Sequence, residues 1–468
     1  MENIRKHLNV GGLFRRIKLL YSFDDKAYYK NLIKLSTPIM LQQALSILMF
    51  LFDSLLVGSL GESSIAAVSI ASQFSFLSRS FAFGSASASG VFAGQYWGKK
   101  DTKNIRSTLG LGYFLAFIIS LMFFLLTQFG HNFLFAAFNA DAEVASLGVS
   151  YLHIVNISFF FEAITLVLTI VLRSCGITYP VLISTAISLF VDTVLSFILI
   201  FGKFGLPALG IQGAAIATLT STTLNFVLLI GYCYIKQNVA ACRFKDLCFK
   251  FSQFKKFIIT SLPILFNEVL WSLANVVYVG IYGWMGTEQV VAMDIFNVFE
   301  RTVYVVFVAL GSAGGVIIGN TIGKGDKPLA HNYAKRLIAL SPLASLLCSL
   351  LILVFSNILI PLYNIAPTTS QMAYDVMLAL CVVCWLISIN FNIVMGCLRP
   401  AGDAKYSSLV EVMPMWLISI PCVYIAGIVL ELPLWTTYLS IIFGEITKCI
   451  IGLRRIKSKR WIHDLTIN

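Results

Sequence analysis

Charge is what this chain has least of. Asp, Glu, Lys and Arg make up 12% of its 468 residues, about half the share found in soluble domains. That scarcity excludes an ordinary soluble domain with a solvated surface. Histidine is rare too, at five residues, and the ten cysteines show one metal-like spacing, Cys381-x-x-Cys384. It lies in an apolar run with no second pair and no nearby His, which argues for helix packing over zinc or redox chemistry. The two glycine-rich stretches, FGSASASG (83–90) and GSAGG (311–315), lack the Lys-Ser/Thr of a phosphate loop. They suit close helix packing, so no ATP site is expected in the chain itself. No cleavable signal peptide is apparent, because the first 30 residues are charged, with Arg15, Arg16 and Lys18 after Gly11-Gly12. They read as an amphipathic arm near anionic lipid.

What is present is apolar length. Hydrophobic residues make up 58% of the chain, in runs of about 20 residues that each match a bilayer core. Continuous runs favour helices over the alternating strands of a barrel. The fold expected is an all-α polytopic membrane protein with twelve spans, at about 33–57, 68–93, 107–129, 146–171, 180–202, 210–235, 258–282, 290–319, 334–356, 374–396, 406–429 and 434–453. The net charge of +12 reflects topology and implies no nucleic acid. Basic residues crowd every second loop, as with Lys99, Lys100, Lys103 and Arg106, or Lys324, Lys327, Lys335 and Arg336. The intervening loops (GESS, GTEQ, ELPL) hold none. Both termini are therefore expected in the cytoplasm, with the chain in a cell (inner) membrane.

The chain also repeats itself. Displaced by 225 residues, Pro38-Ile39 meets Pro263-Ile264, Gly61 meets Gly286, and GQYWGKKD (94–101) meets GNTIGKGD (319–326). With one further residue of offset, LRSCG (172–176) meets LRPAG (398–402). Six spans per copy is an even number, so the copies are parallel, related by an axis along the membrane normal. The expected organisation is an arm at 1–30, an N-lobe at 31–236, a cytoplasmic linker at 237–257, a C-lobe at 258–453 and a basic tail at 454–468.

Against this apolar background a few residues stand out. Asp53 lies inside the first span with no basic residue within a turn, at a cost of roughly 2.5–3.5 kcal/mol on insertion scales. Pro38 near the start of that span removes a backbone hydrogen bond and marks a bend point. A bendable helix with a buried titratable group points to an ion-coupled switch. Asp53 does not recur, since Tyr278 stands at its repeat position. Glu268, at the position matching Gln43, is a candidate for binding a cationic substrate or a second ion, the alternative being a hydrated carboxylate near the membrane edge. Glu162, Asp294 and Glu300 are further cavity candidates. Arg79 and Arg301 need partners at that depth, and Glu300 or Asp294 are expected to supply them. Otherwise the two arginines face a cavity and attract an anionic group. Asn156-Ile-Ser158 matches a glycosylation acceptor but lies within a span.

The order of P-x14-DSLLVG in the first span, LRSCG and LRPAGDAKY after the fourth and tenth, and LFVDTVLSFILIFGKFGLPALGIQGAAIATL across the fifth and sixth resembles the multidrug and toxic compound extrusion (MATE) family over most of the chain. Within that family it is similar to the branch of DNA-damage-inducible protein F. The resemblance implies two six-helix lobes in a V and alternating access driven by H+ or Na+, with no other cofactor. It places cation coupling, including a possible Na+ site, at Asp53, Asp192 and Thr218, with Pro38 as hinge. Ser188 stands where the family usually has Asn, and a serine offers a hard cation no amide oxygen. The function implied is export of drug-like, cationic, amphipathic molecules by a monomer in the lipid bilayer. The alternative in the same superfamily is a flippase or exporter for an anionic lipid-linked or polar metabolite. No catalysis is expected.

Overall fold

The computed structural model describes residues 25–131, 135, 141–242, 249–362 and 365–466. Residues 1–24 of the arm expected at 1–30 and the centre of the basic connection, with Lys245, lie outside them. Among the described residues the chain is helical, with no strand.

Helix α1 (Lys26–Gly58) starts where Asp25 accepts the amide of Tyr28 at 3.1 Å. It runs unbroken through Pro38. In the preceding turn Ser36 and Thr37 both donate their hydroxyls to the Ile33 carbonyl, at 3.3 and 2.9 Å. Such back-bonding next to a proline weakens the helix at one level. Helices α2 (Glu62–Gly98) and α3 (Thr102–Phe129) follow. α4 (Ala142–Val155) and α5 (Ser158–Ser174) form one path bent by 49°. Asn156 sits fully buried at that bend, donating to Gln128 at 3.1 Å, so the apparent glycosylation signal is closed to any glycan. α6 (Tyr179–Phe201) and α7 (Ile211–Ile235) complete the first set.

The second set repeats the first. α8 (Phe251–Met285), α9 (Thr287–Gly323) and α10 (Lys327–Leu359) lead to α11 (Pro367–Phe391), which runs on through a π-helical turn, Asn392–Leu398. α12 (Ala404–Pro414) continues through π turns and the short α13 (Ile420–Tyr424) to Val429, and α14 (Leu434–Leu439) precedes α15 (Ile442–Ser458). The backbone keeps the 225-residue register. Asp101 caps α3 through the Asn104 amide at 3.1 Å, and Asp326 caps α10 through the Leu329 amide at 2.9 Å. Gly61 and Gly286 both have positive φ, 102° and 142°, before the next helix.

Ten described helical runs are long and apolar enough to cross a membrane, and the bent α4–α5 pair makes eleven. The expected span that does not reach that apolarity is α2. Its serine- and glycine-rich half is buried against α3 and α5 and so avoids lipid. A methyl group at Gly90 would meet Ile170 at 2.5 Å. The serines and glycines buy close approach, as small residues do between membrane helices. The molecule is a multi-pass membrane protein.

Two compact units result. One comprises Pro38–Leu270 with Asp464–Asn468, the other Met1–Thr37 with Trp271–His463. The first has cores around Leu109, Val167 and Leu172, and around Phe135, Leu152 and Phe159. In the second, Tyr28, Leu32 and Leu35 pack in one core with Leu337, Ile456 and Trp461. Tyr28 stacks on Tyr333 at 4.6 Å, and Arg336 pairs with Asp25 at 2.7 Å.

Candidate functional site

Asp53 lies five residues before the end of α1, and Asp192 near the middle of α6. The fold brings their carboxyl groups against one another. Asp192 is 6% exposed and accepts the Ser221 hydroxyl at 2.8 Å. Asp53 is half-buried, and its Oδ1 is shielded from solvent with no hydrogen-bond partner among the described residues. Tyr151, buried on α4, lies within hydrogen-bonding reach of Thr218 and within electrostatic reach of both carboxyl groups. None of the ion pairs among the described residues reaches Asp53 or Asp192.

Thr218 belongs to this cluster, and Ser221 follows one turn later on the same face of α7. Sequence reasoning missed Ser221 although that spacing pointed to it. It missed Tyr151 for want of any signal, since nothing in the sequence ties α4 to α1. Ser188 is buried one turn before Asp192, yet its hydroxyl donates to the Ser184 carbonyl at 2.8 Å. The proton of that hydroxyl is thus committed to its own helix.

One turn past Pro38, Gln42 donates to Thr185 of α6 at 2.8 Å and accepts from Arg173 of α5. The α1 segment carrying Asp53 is thus tied to α5 and α6 at its Pro38 end. In the second repeat Arg399, the counterpart of Arg173, pairs with Glu411 at 3.2 Å.

The remaining candidates scatter. Arg79 of α2 pairs with Glu162 of α5, and this corrects the expectation that Asp294 or Glu300 would be its partner. The reason is adjacency, because α2 packs along α5. Glu268 is half-buried on α8 and belongs to the unit Pro38–Leu270. Asp294 is exposed on α9, while Glu300 is half-buried beside the exposed Arg301. Of the described thiols in the Cys-x-x-Cys run, Cys381 points to the Ser349 carbonyl at 3.7 Å and Cys384 to that of Ser345 at 3.9 Å.

The sequence model of the MatE family matches residues 38–198 and again 263–425. The two matches begin at Pro38 and Pro263, the residues that the internal displacement superposes. This chain belongs to the MATE family of transporters. The MATE chain is similar to YisQ, an uncharacterized transporter of Bacillus subtilis, with 24% identity over 94% of this chain and 96% of that one. It is 22% identical to the probable multidrug resistance protein NorM of Thermotoga maritima, covering 92% and 93%. A superfamily transporter of Pyrococcus furiosus, described by the reverse polarity of its binding pocket, shares the fold at TM-score 0.84. Its identity is 18% over 95% of this MATE chain and 98% of that one.

Proposed function

We propose that this MATE transporter is a secondary antiporter that exports organic, cationic, amphipathic compounds in exchange for H+ or Na+ by alternating access. The observation that carries the reading is the Asp53–Asp192 pair. Two carboxylates this close, shielded from water and without a basic partner, repel one another. A proton or sodium ion shared between them removes the repulsion, and its loss restores it. Such a pair holds one ion and titrates as a unit. The Ser221 hydroxyl bound to Asp192 and the orphaned Asp53 Oδ1 support a place for that ion between the two carboxyl groups. The multidrug resistance names of NorM relatives support the substrate class. Pro38 serves as the bend point, and the transporter acts as a monomer with lobes at 31–236 and 258–453 and both termini cytoplasmic.

The deciding experiment follows ethidium efflux from inverted vesicles with the pH and sodium gradients collapsed separately. Efflux must stop with one of them. Efflux indifferent to both would sink the antiporter reading.

A second reading rests on Arg79, whose side chain is 63% exposed although paired with Glu162, and on the exposed Arg301. Two accessible guanidinium groups suit an anionic substrate such as a lipid-linked phosphate. Arg79→Gln separates the two. The exporter reading expects ethidium efflux to persist in the variant, and the anion reading expects transport of the anionic substrate to be lost.

A further inference from the structure

The unit Trp271–His463 buries a polar cluster that the coupling reading leaves unused. Glu445 and Lys448 on α15 are 8% and 7% exposed, with carboxylate and ammonium 2.6 Å apart. Asn390 of α11, 5% exposed, donates its amide to Glu445 Oε2 and to the Glu445 backbone carbonyl, each at 2.8 Å. The Oδ1 of Asn390 has no hydrogen-bond partner among the described residues. Tyr278 of α8 lies beside Ser419 and Glu445. Tyr304 of α9 and Cys449 of α15 also lie within electrostatic reach of Glu445, and Glu300 and Glu411 are the other carboxylates within reach of Tyr304.

The helices involved are the repeat counterparts of those that build the carboxylate pair. In the first set the site stands on α1, α4, α6 and α7. In the second the cluster stands on α8, α11, the run that begins with α12, and α15. Tyr278 occupies the position of Asp53. The two sites differ in charge. Asp53 and Asp192 bring two negative charges and no cation, so an ion must come from outside. Glu445 brings one negative charge and meets an ammonium on its own helix.

We infer that Lys448 is a built-in counterion, its ammonium permanently holding the place beside Glu445 that an exchangeable cation takes between Asp53 and Asp192. Ion exchange is thereby confined to one site per molecule, and the second site is a locked copy of the first. The inference rests on the coupling role proposed for Asp53 and Asp192. A buried ion pair costs desolvation on both sides, and removing one partner strands the other. Without Lys448, the Glu445 carboxylate and the free Asn390 oxygen are left as hard oxygen donors, and Glu445 must take up H+ or Na+.

The test uses full-length protein and two readouts. The first is infrared difference spectroscopy of protonated carboxyl groups during acid titration, in an Asp53→Asn background. Lys448→Met should add a titrating carboxyl band, and Glu445→Gln should remove it. The second is ethidium efflux by the neutral double variant Glu445→Gln/Lys448→Met, which is expected to stay gradient-driven and within about twofold of the parent, since neutral replacements of buried pairs are often tolerated. Failure of Lys448→Met to add a carboxyl band that Glu445→Gln abolishes would overturn the inference. So would a folded, ethidium-binding double variant whose efflux no longer follows the gradient. The infrared result needs no transport, so it stands or falls separately from the role of Asp53.

Discussion

Ser221 on α7 donates its hydroxyl to Asp192 on α6 at 2.8 Å, fixing the carboxylate that lies against Asp53. A hydrogen bond to a charged acceptor contributes about 1.5–3 kcal/mol. Ser221→Ala should therefore disfavour the ionised carboxylate. If sodium is the coupling ion, its half-saturating concentration rises about tenfold; if protons are, the efflux optimum moves about one pH unit alkaline. Initial rates of ethidium efflux against sodium and pH measure this. An unchanged profile would separate Ser221 from coupling.

Asp53 and Ser188 should behave in opposite ways. Asp53→Asn keeps size and polarity but removes a charge from the pair, so the variant should insert, bind ethidium and fail to export it against a gradient. Ser188→Ala deletes a hydroxyl that bonds its own helix at Ser184, where such back-bonding contributes little to helix stability. Its efflux rate should match the parent. Vesicle efflux normalised to folded protein tests both, and a coupling defect in Ser188→Ala would place that hydroxyl in the site after all.

Tyr28 anchors the first turn of α1. It is 2% exposed, stacks on Tyr333 and lies under the Arg336 guanidinium at 5.9 Å. Tyr28→Ala should cost about 3–5 kcal/mol, as aromatic truncations in packed cores do. Thermal unfolding in detergent should show a clearly lower midpoint, whereas Tyr29→Ala, only half-buried, should shift it less.

The C-terminal tail has a pH-sensitive tie. Burial by itself would raise the pKa of Asp464, but hydrogen bonds from Thr466 and the Lys99 ammonium at 3.2 Å hold it below the usual carboxylate range. A lowered folded-state pKa means that the stabilisation is complete above the ordinary value of about 4 and is lost as pH falls through the lowered one. Protection of the Leu465 amide, whose N–H donates to Gln95 at 2.7 Å, from exchange relative to its intrinsic rate should fall only below about pH 4. Lys99→Ala should lower it a few-fold at neutral pH, as a partly exposed ion pair is worth roughly 1 kcal/mol or less.

The helical class and the repeat were legible in the chain because apolar length and punctuation are local properties. The capping acids Asp101 and Asp326 and the turns at Gly61 and Gly286 show that register directly in the backbone. The count of twelve was less secure. α2 is sheltered by α3 and α5, and a sheltered helix need not be apolar enough to announce itself. The partner of Arg79 was illegible for a related reason, since Glu162 reaches it only because α2 packs along α5.

By itself the sequence determined that this protein crosses a membrane many times, that it is built from two copies of one unit, and that Asp53 has no counterpart in the second copy. Hydropathy, repeated glycines and prolines, and one unmatched carboxylate suffice for that. Tertiary structure decided what neither the residues nor the resemblance did, namely which further groups join Asp53 and Asp192. It added Tyr151 and Ser221 to the Asp53–Asp192 pair, bonded the Ser188 hydroxyl to the Ser184 carbonyl, and set Asn390 of α11 against Glu445 of α15. The physical reason is range. Spacing within a helix fixes which face a residue shares, but only packing between helices decides whether a buried charge meets another charge, a hydroxyl or nothing.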